Sequence, residues 1–195
     1  SFSEEMCKAW MEGRKTVTRR LMNPQPDHCH RDIIGKVEYS GEDFHRLLPQ
    51  KGDRDIKPPY RPGETVYIKE TWRETWCSGS PAKGYEVGIE YRATWTGSHD
   101  PMGKTVKVPE MHYGYKITKK GIGAWKSLRF MPEWASRSHA LIVSVRPEQL
   151  TGITGIEARL EGFDSLDDFV DYWAKLYGEW DFKTWVWRIE LEKKP

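Results

Sequence analysis

The first clear pattern along the chain is an apolar face at Met6, Ala9 and Trp10, at spacing i, i+3, i+4. Ser3 precedes it with the chemistry of an N-cap, and Glu4 and Glu5 suit the positive end of a helix dipole. Gly13 stands where such a helix stops. The next stretch, "RKTVTRRL" from Arg14 to Leu21, carries β-branched residues and favours an extended path. Residues 22–60 hold five prolines and little periodicity, so they read as an irregular excursion. In "RPGETVYIKETW", Pro62-Gly63 makes a turn, and Val66 and Ile68 then alternate with Tyr67 and Lys69 as in a strand. "VGIEYRATW" is a further strand, and residues 97–126 read as a second polar surface insertion. "SHALIVSVRPEQL" reads as a buried strand ending near Pro147.

The last third of the chain has sharper punctuation. Thr154 and Glu157 form a capping-box pattern, which predicts a short helix to about Glu161 with Gly162 as its stop. Ser165 caps the next helix, where Leu166, Phe169, Val170, Trp173, Leu176 and Tyr177 fall on one stripe before Gly178. "TWVWRIELE" alternates: Trp185, Trp187, Ile189 and Leu191 on one face, Val186, Arg188 and Glu190 on the other. Dispersed strands with three short helices between them favour one α+β domain over residues 1–195, a small barrel or curled sheet with helices outside.

Composition narrows the function classes. The net charge of +2 is too small for nucleic-acid binding by bulk electrostatics, so such a role must rest on a local cluster, and "GRKTVTRR" is the dense one. Three cysteines without a CxxC argue against a disulfide framework and point to a reducing cytoplasm. No apolar run approaches the roughly 20 residues of a membrane span. Ten tryptophans can build a core and a groove, with base stacking by a few of them as the sharper alternative.

Four groups of residues are candidates for chemistry. His28-Cys29-His30, with His45 and Cys7, has zinc-ligand types but not zinc spacing, so no metal or cofactor is expected. Cys7 and Cys77 lie in no nucleophile motif and read as core or incidental thiols. Trp72 and Trp134 sit at element ends beside Arg73 and Arg137, where a ring next to a guanidinium can hold a base. In the basic stretch, Arg14, Arg19 and Arg20 crowd Lys15. Like charge and burial both depress a lysine pKa, and a lysine so lowered can activate the hydroxyl of Thr18. In a regular strand Lys15 and Thr18 would face opposite sides, so the pair needs the chain to turn between them.

The spacing Gly13-x-Lys15-x-x-Thr18-x-Arg20 resembles the GxKxx[ET]xR signature of the ASCH (activating-signal-cointegrator homology) domains, which have the PUA-like fold. "RPGETVYIKETW", "YRAT", "RFMPEWASR", "LTGITGIEARLEGF" and "WVWRIEL" follow in the order seen in ASCH-type proteins of bacteriophages and prophages, often labelled phage morphogenetic proteins. The resemblance implies a PUA-like small β-barrel with flanking helices, a short strand ahead of the first helix, and a cleft beside that helix that receives a nucleoside, a nucleotide or RNA. One branch hydrolyses the acetyl amide of N4-acetylcytidine, and its functional Lys, Thr and Glu fall on Lys15, Thr18 and Glu161. Most ASCH domains carry Glu at the Thr18 position, so Thr18 favours that branch, whose members are about half as long as this chain. Arg14, Arg19, Arg20, Glu70, Trp72, Trp134 and Arg137 are then expected around the substrate. Arg20 or the backbone amides after Gly13 would hold an oxyanion or a phosphate. The alternatives are a non-catalytic nucleic-acid-binding module, a ribonuclease and a phage assembly role.

Overall fold

The computed structural model describes residues 2–23, 25, 58–80, 84–108 and 123–194. They belong to two compact units, Ser1–Lys8 with Tyr67–His139 and Ala9–Val66 with Ala140–Pro195. The architecture is mixed α+β: an open, curled four-stranded antiparallel sheet, a separate three-stranded sheet and three helices among the described residues. No described helix is long and apolar enough to cross a membrane.

The first helix, α1 (Glu4–Met11), begins where Ser3 Oγ accepts from Met6 N at 3.3 Å. It ends where Gly13, at φ 77°, turns the chain and donates to Trp10 O at 3.1 Å. Strand β1 (Val17–Leu21) follows. The four-stranded sheet has the order β1–β7–β6–β2, with β2 at Thr65–Tyr67, β6 at His139–Gln149 and β7 at Trp185–Lys194. Strand β6 runs through Pro147, and its outward positions are half-buried or exposed rather than buried throughout.

Between β6 and β7 lie α2 (Gly155–Leu160) and α3 (Leu166–Tyr177). Thr154 caps α2 by accepting from Glu157 N, and Ser165 and Asp168 make a reciprocal capping box on α3. The expected stripe on α3 is only partly buried: Phe169 and Trp173 are inside, while Leu176 and Tyr177 are exposed. Trp180 adds cover, meeting Phe169 at 5.8 Å and Trp173 at 6.2 Å, and the ring of Tyr177 lies 4.4 Å from that of Trp173. Strand β7 departs from simple alternation because Val186 and Arg188 are buried on its second face as well, where Arg188 meets Glu157 of α2.

The other unit carries the three-stranded sheet β3–β4–β5, formed by Trp72–Ser80, Gly84–Tyr91 and Lys104–Val108. Strand β5 comes from the stretch read as the second insertion. Its core joins Trp72, Val87, Ile89, Tyr91, Met131 and Ala135.

Gly162 closes α2 at φ 93°, and a Cβ there would stand 2.8 Å from Ala9 Cβ and 3.4 Å from Lys15 Cβ. Gly162→Ala is therefore expected to cost about 1–3 kcal/mol in denaturant unfolding. Gly152→Ala, with open space around the new methyl, should stay within about 0.5 kcal/mol. Equal midpoints for the two variants would contradict this packing.

Candidate functional site

The site grows from the way the chain leaves α1. The amides of Arg14 and Lys15 both donate to Ala9 O, at 2.8 and 3.1 Å, and Thr16 N donates to Leu160 O at 2.9 Å. With Gly13 N on Trp10 O, the amides from Gly13 to Thr16 are all engaged. The expected backbone oxyanion hole after Gly13 is thus already filled by the protein's own carbonyls.

Ladder geometry places the next groups. Leu191 N donates to Thr16 O, and Met22 N donates to Trp185 O. Even-numbered residues of β1 therefore turn their peptide groups toward β7, and the carbonyls of Val17 and Arg19 turn to the opposite edge. Among the described residues, β1 has no strand neighbour on that edge. Lys15 Nζ bonds Val17 O at 2.8 Å, and Arg20 Nη1 bonds Arg19 O at 3.2 Å. The ammonium and the guanidinium thus bond carbonyls along one edge of β1 that stand about 7 Å apart by strand rise, on either side of Thr18. The pleat sends the Thr18 side chain to the face of Ile189 and that of Arg19 to the face of Arg188. Because Lys15 Nζ lies at the edge, it is confined to neither face.

Lys15 is fully buried, and its Nζ also donates to Glu161 O at 2.7 Å and Glu161 Oε2 at 2.9 Å. Three acceptors around Nζ match the three donors of an ammonium. Burial works the other way: it pulls the amine below the ordinary lysine value, Glu161 holds it up, and Arg20 and Arg19 depress it. An amine so placed holds its proton less firmly than an exposed lysine. Thr18 is 4% exposed, and its Oγ1 has no hydrogen-bond partner among the described residues. An unsatisfied buried hydroxyl costs about 1–3 kcal/mol, which makes it an atom to explain.

Arg19 does not face solvent. It donates through Nε to Glu148 Oε1 at 2.6 Å, through Nη1 to Glu161 Oε1 at 3.3 Å and through Nη2 to Glu157 Oε2. Arg14 is exposed at the rim, paired with Glu12 at 2.8 Å. Glu148, Glu157, Arg188 and Glu190, which join this network, were not among the site residues expected from the sequence. Arg188 and Arg19 face each other across the β1–β7 ladder, a relation visible only once the register is known.

The remaining expected residues lie in the other unit. Glu70 and Arg137 form a buried two-point pair, at 2.9 and 2.7 Å. Burial pushes the Glu70 carboxyl up against the opposing pull of Arg137. Trp72 is buried, edge-on to Trp134 at 5.8 Å and under Lys126, so its ring faces are engaged in packing. Arg73 leaves Trp72 and stacks on Trp95 and Trp125 at 5.1 and 4.5 Å, and the more exposed Arg92 covers the same rings at 5.5 and 5.2 Å. Cys7 is buried, and burial raises its thiol pKa. The side chain of Cys77, and His28, Cys29, His30 and His45, lie outside the described residues.

Comparison of the chain with protein-family models, with curated proteins and with solved structures finds no match. The resemblance therefore rests on the motif residues themselves.

The ion network makes a pH prediction. Burial opposes the charge of Glu157, but hydrogen bonds from Arg19 and Arg188 prevail and hold its carboxyl below the ordinary value of 4.5. Glu190 is held down in the same way, by Arg188 and Ser144 against burial. A carboxyl depressed by folding contributes stability above its unfolded pKa and loses it as pH falls through the folded one. Thermal midpoints should therefore drop below about pH 4.5, and Glu157→Gln should lose less over that interval. Parallel pH profiles for wild type and variant would contradict the assignment.

Proposed function

We propose that the chain is an ASCH-type protein of PUA-like fold that hydrolyses the amide of an N4-acylated cytidine, with Thr18 as nucleophile, Lys15 as proton carrier and Glu161 as the group that orients Lys15. The open four-stranded sheet is then the main wall of the barrel. One observation carries the reading: Thr18, whose buried hydroxyl has no partner among the described residues, stands between the two residues whose carbonyls accept from Lys15 and Arg20, with that lysine tied to Glu161.

The chemistry balances without further groups. Substrate displaces one acceptor of Lys15, and the ammonium gives its proton to water. Thr18 Oγ attacks the acyl carbon as its proton passes to Lys15 Nζ, and the carbonyl oxygen becomes an oxyanion facing Arg20. Collapse breaks the C–N4 bond, Lys15 returns the proton to N4, and cytidine leaves. Water then attacks the acyl-threonine, Lys15 takes the water's proton and passes it to Thr18 Oγ as the ester bond breaks, and the carboxylic acid leaves. The Glu161 carboxylate is occupied by Lys15 and Arg19, so it serves as an orienter rather than as a contact to the cytosine edge.

Thr18→Val separates function from packing. It removes an unpartnered buried hydroxyl at nearly constant volume, so the thermal midpoint should rise, by about 1 kcal/mol of stability, while release of cytidine from N4-acetylcytidine ceases. Lys15→Met should abolish turnover as well. A Thr18→Val variant that retains turnover would remove Thr18 from the mechanism.

A non-catalytic nucleic-acid-binding role is favoured by a different observation, the two arginines stacked on Trp95 and Trp125. It predicts RNA affinity that falls with salt, and a slope reduced by about one when Arg92 is replaced by Ala. Affinity independent of salt would rule out that role.

A further inference from the structure

We infer that Arg19 is a positioning residue: its guanidinium holds the Glu161 carboxylate so that a single oxygen, Oε2, is presented to Lys15, and it does so without touching substrate. The inference rests on the reading of Lys15, Thr18 and Glu161 given above. The Arg19 side chain is 1% exposed. Its three nitrogens engage Glu148 near the end of β6, Glu157 within α2 and Glu161 directly after it. A guanidinium is a planar fork of five donors, so carboxylates bound to it are fixed in angle relative to one another. Arg188 backs the arrangement from β7, donating through Nε to Glu157 Oε2 at 3.3 Å, through Nη2 to Glu157 Oε1 at 3.4 Å and through Nη1 to Glu190. Glu157 is therefore gripped from two strands and cannot swing into the place of Glu161.

The same geometry argues against a substrate contact. The guanidinium is enclosed by three carboxylates, so an incoming phosphate would meet negative charge first. Each of its three nitrogens already donates to a carboxylate. What Arg19 does control is Glu161: with Oε1 on Arg19 and Oε2 on Lys15, the carboxylate has no free rotation about its last bond. Loosening it leaves Lys15 Nζ with two backbone carbonyls and a wandering third partner.

The test uses the full chain and Arg19→Lys, which keeps the charge but cannot reach three carboxylates in one geometry. The first readout is the Lys15 side-chain ammonium resonance, assigned by its disappearance in Lys15→Met. It should shift and titrate differently in Arg19→Lys. The second is hydrolysis of N4-acetylcytidine, where kcat should fall about 10²-fold with KM within about threefold. A loss carried by KM with kcat retained would make Arg19 a substrate contact and overturn the inference. An unchanged Lys15 resonance in folded Arg19→Lys would overturn it whether or not any substrate turns over. If the wild type hydrolyses nothing, the resonance alone decides, so failure of the reaction and failure of the positioning role are separable. Glu148→Gln, which removes one outer partner of Arg19, should move the Lys15 resonance the same way by less, and it covers the case in which Arg19→Lys does not fold.

Discussion

A lysine ammonium withdrawn from water must find its hydration shell in the protein, and the rest of the second unit is arranged to supply it. Desolvating such a charge costs several kcal/mol, repaid only when good geometry satisfies every donor. Lys15 meets that condition with Val17 O, Glu161 O and Glu161 Oε2. Each acceptor requires a local device. Val17 O is available because alternate carbonyls of β1 face away from β7, toward an edge on which no described strand pairs with it. Both acceptors on Glu161 are in reach because α2 ends there, and Gly162 lets the chain turn against the Lys15 stem. Removing either charged partner of a buried pair typically costs about 3–5 kcal/mol, so the cluster constrains the fold as well as any chemistry.

That cluster also accounts for the unusual charge pattern from Arg14 to Arg20, the run that leads into β1. Three arginines and a lysine within seven residues look like a solvated basic turn or a phosphate patch. The structure divides them by direction. Arg14 is at the surface, Lys15 and Arg20 are at the strand edge, and Arg19 points inward to three glutamates. Glutamates from β6 and the α2 segment neutralise what the sequence concentrates in β1.

Much of the secondary structure was legible because its signals are local. Ser3, Thr154 and Ser165 cap the helices as their side chains predict, and Gly13, Gly162 and Gly178 end them at positive φ. The period-2 pattern of "TWVWRIELE" gave β7 correctly, but not the burial of Arg188, which depends on a helix packed on its second face. Strand β5 was hidden because "KTVKV" is short and polar and is held by pairing with β4. At the site, the motif spacing brought Lys15 and Thr18 to notice, and the structure joins Lys15 to Glu161, 146 positions further along the chain. It could not reveal that Arg19 and Arg188 sit opposite each other, or that Arg73 stacks on Trp95 and Trp125 rather than on its neighbour Trp72. Those relations belong to register and tertiary packing, and no local pattern encodes them.

The central claim is that the edge of β1 beside Thr18 receives an acylated cytosine. The most direct measurement is a crystal structure of Thr18→Val soaked with N4-acetylcytidine. The account predicts the acetyl carbon against residue 18, with Lys15 Nζ and the Arg20 guanidinium within hydrogen-bond reach of the acyl group. Ligand bound elsewhere, or none bound while Lys15 and Glu161 remain as they are, would contradict it.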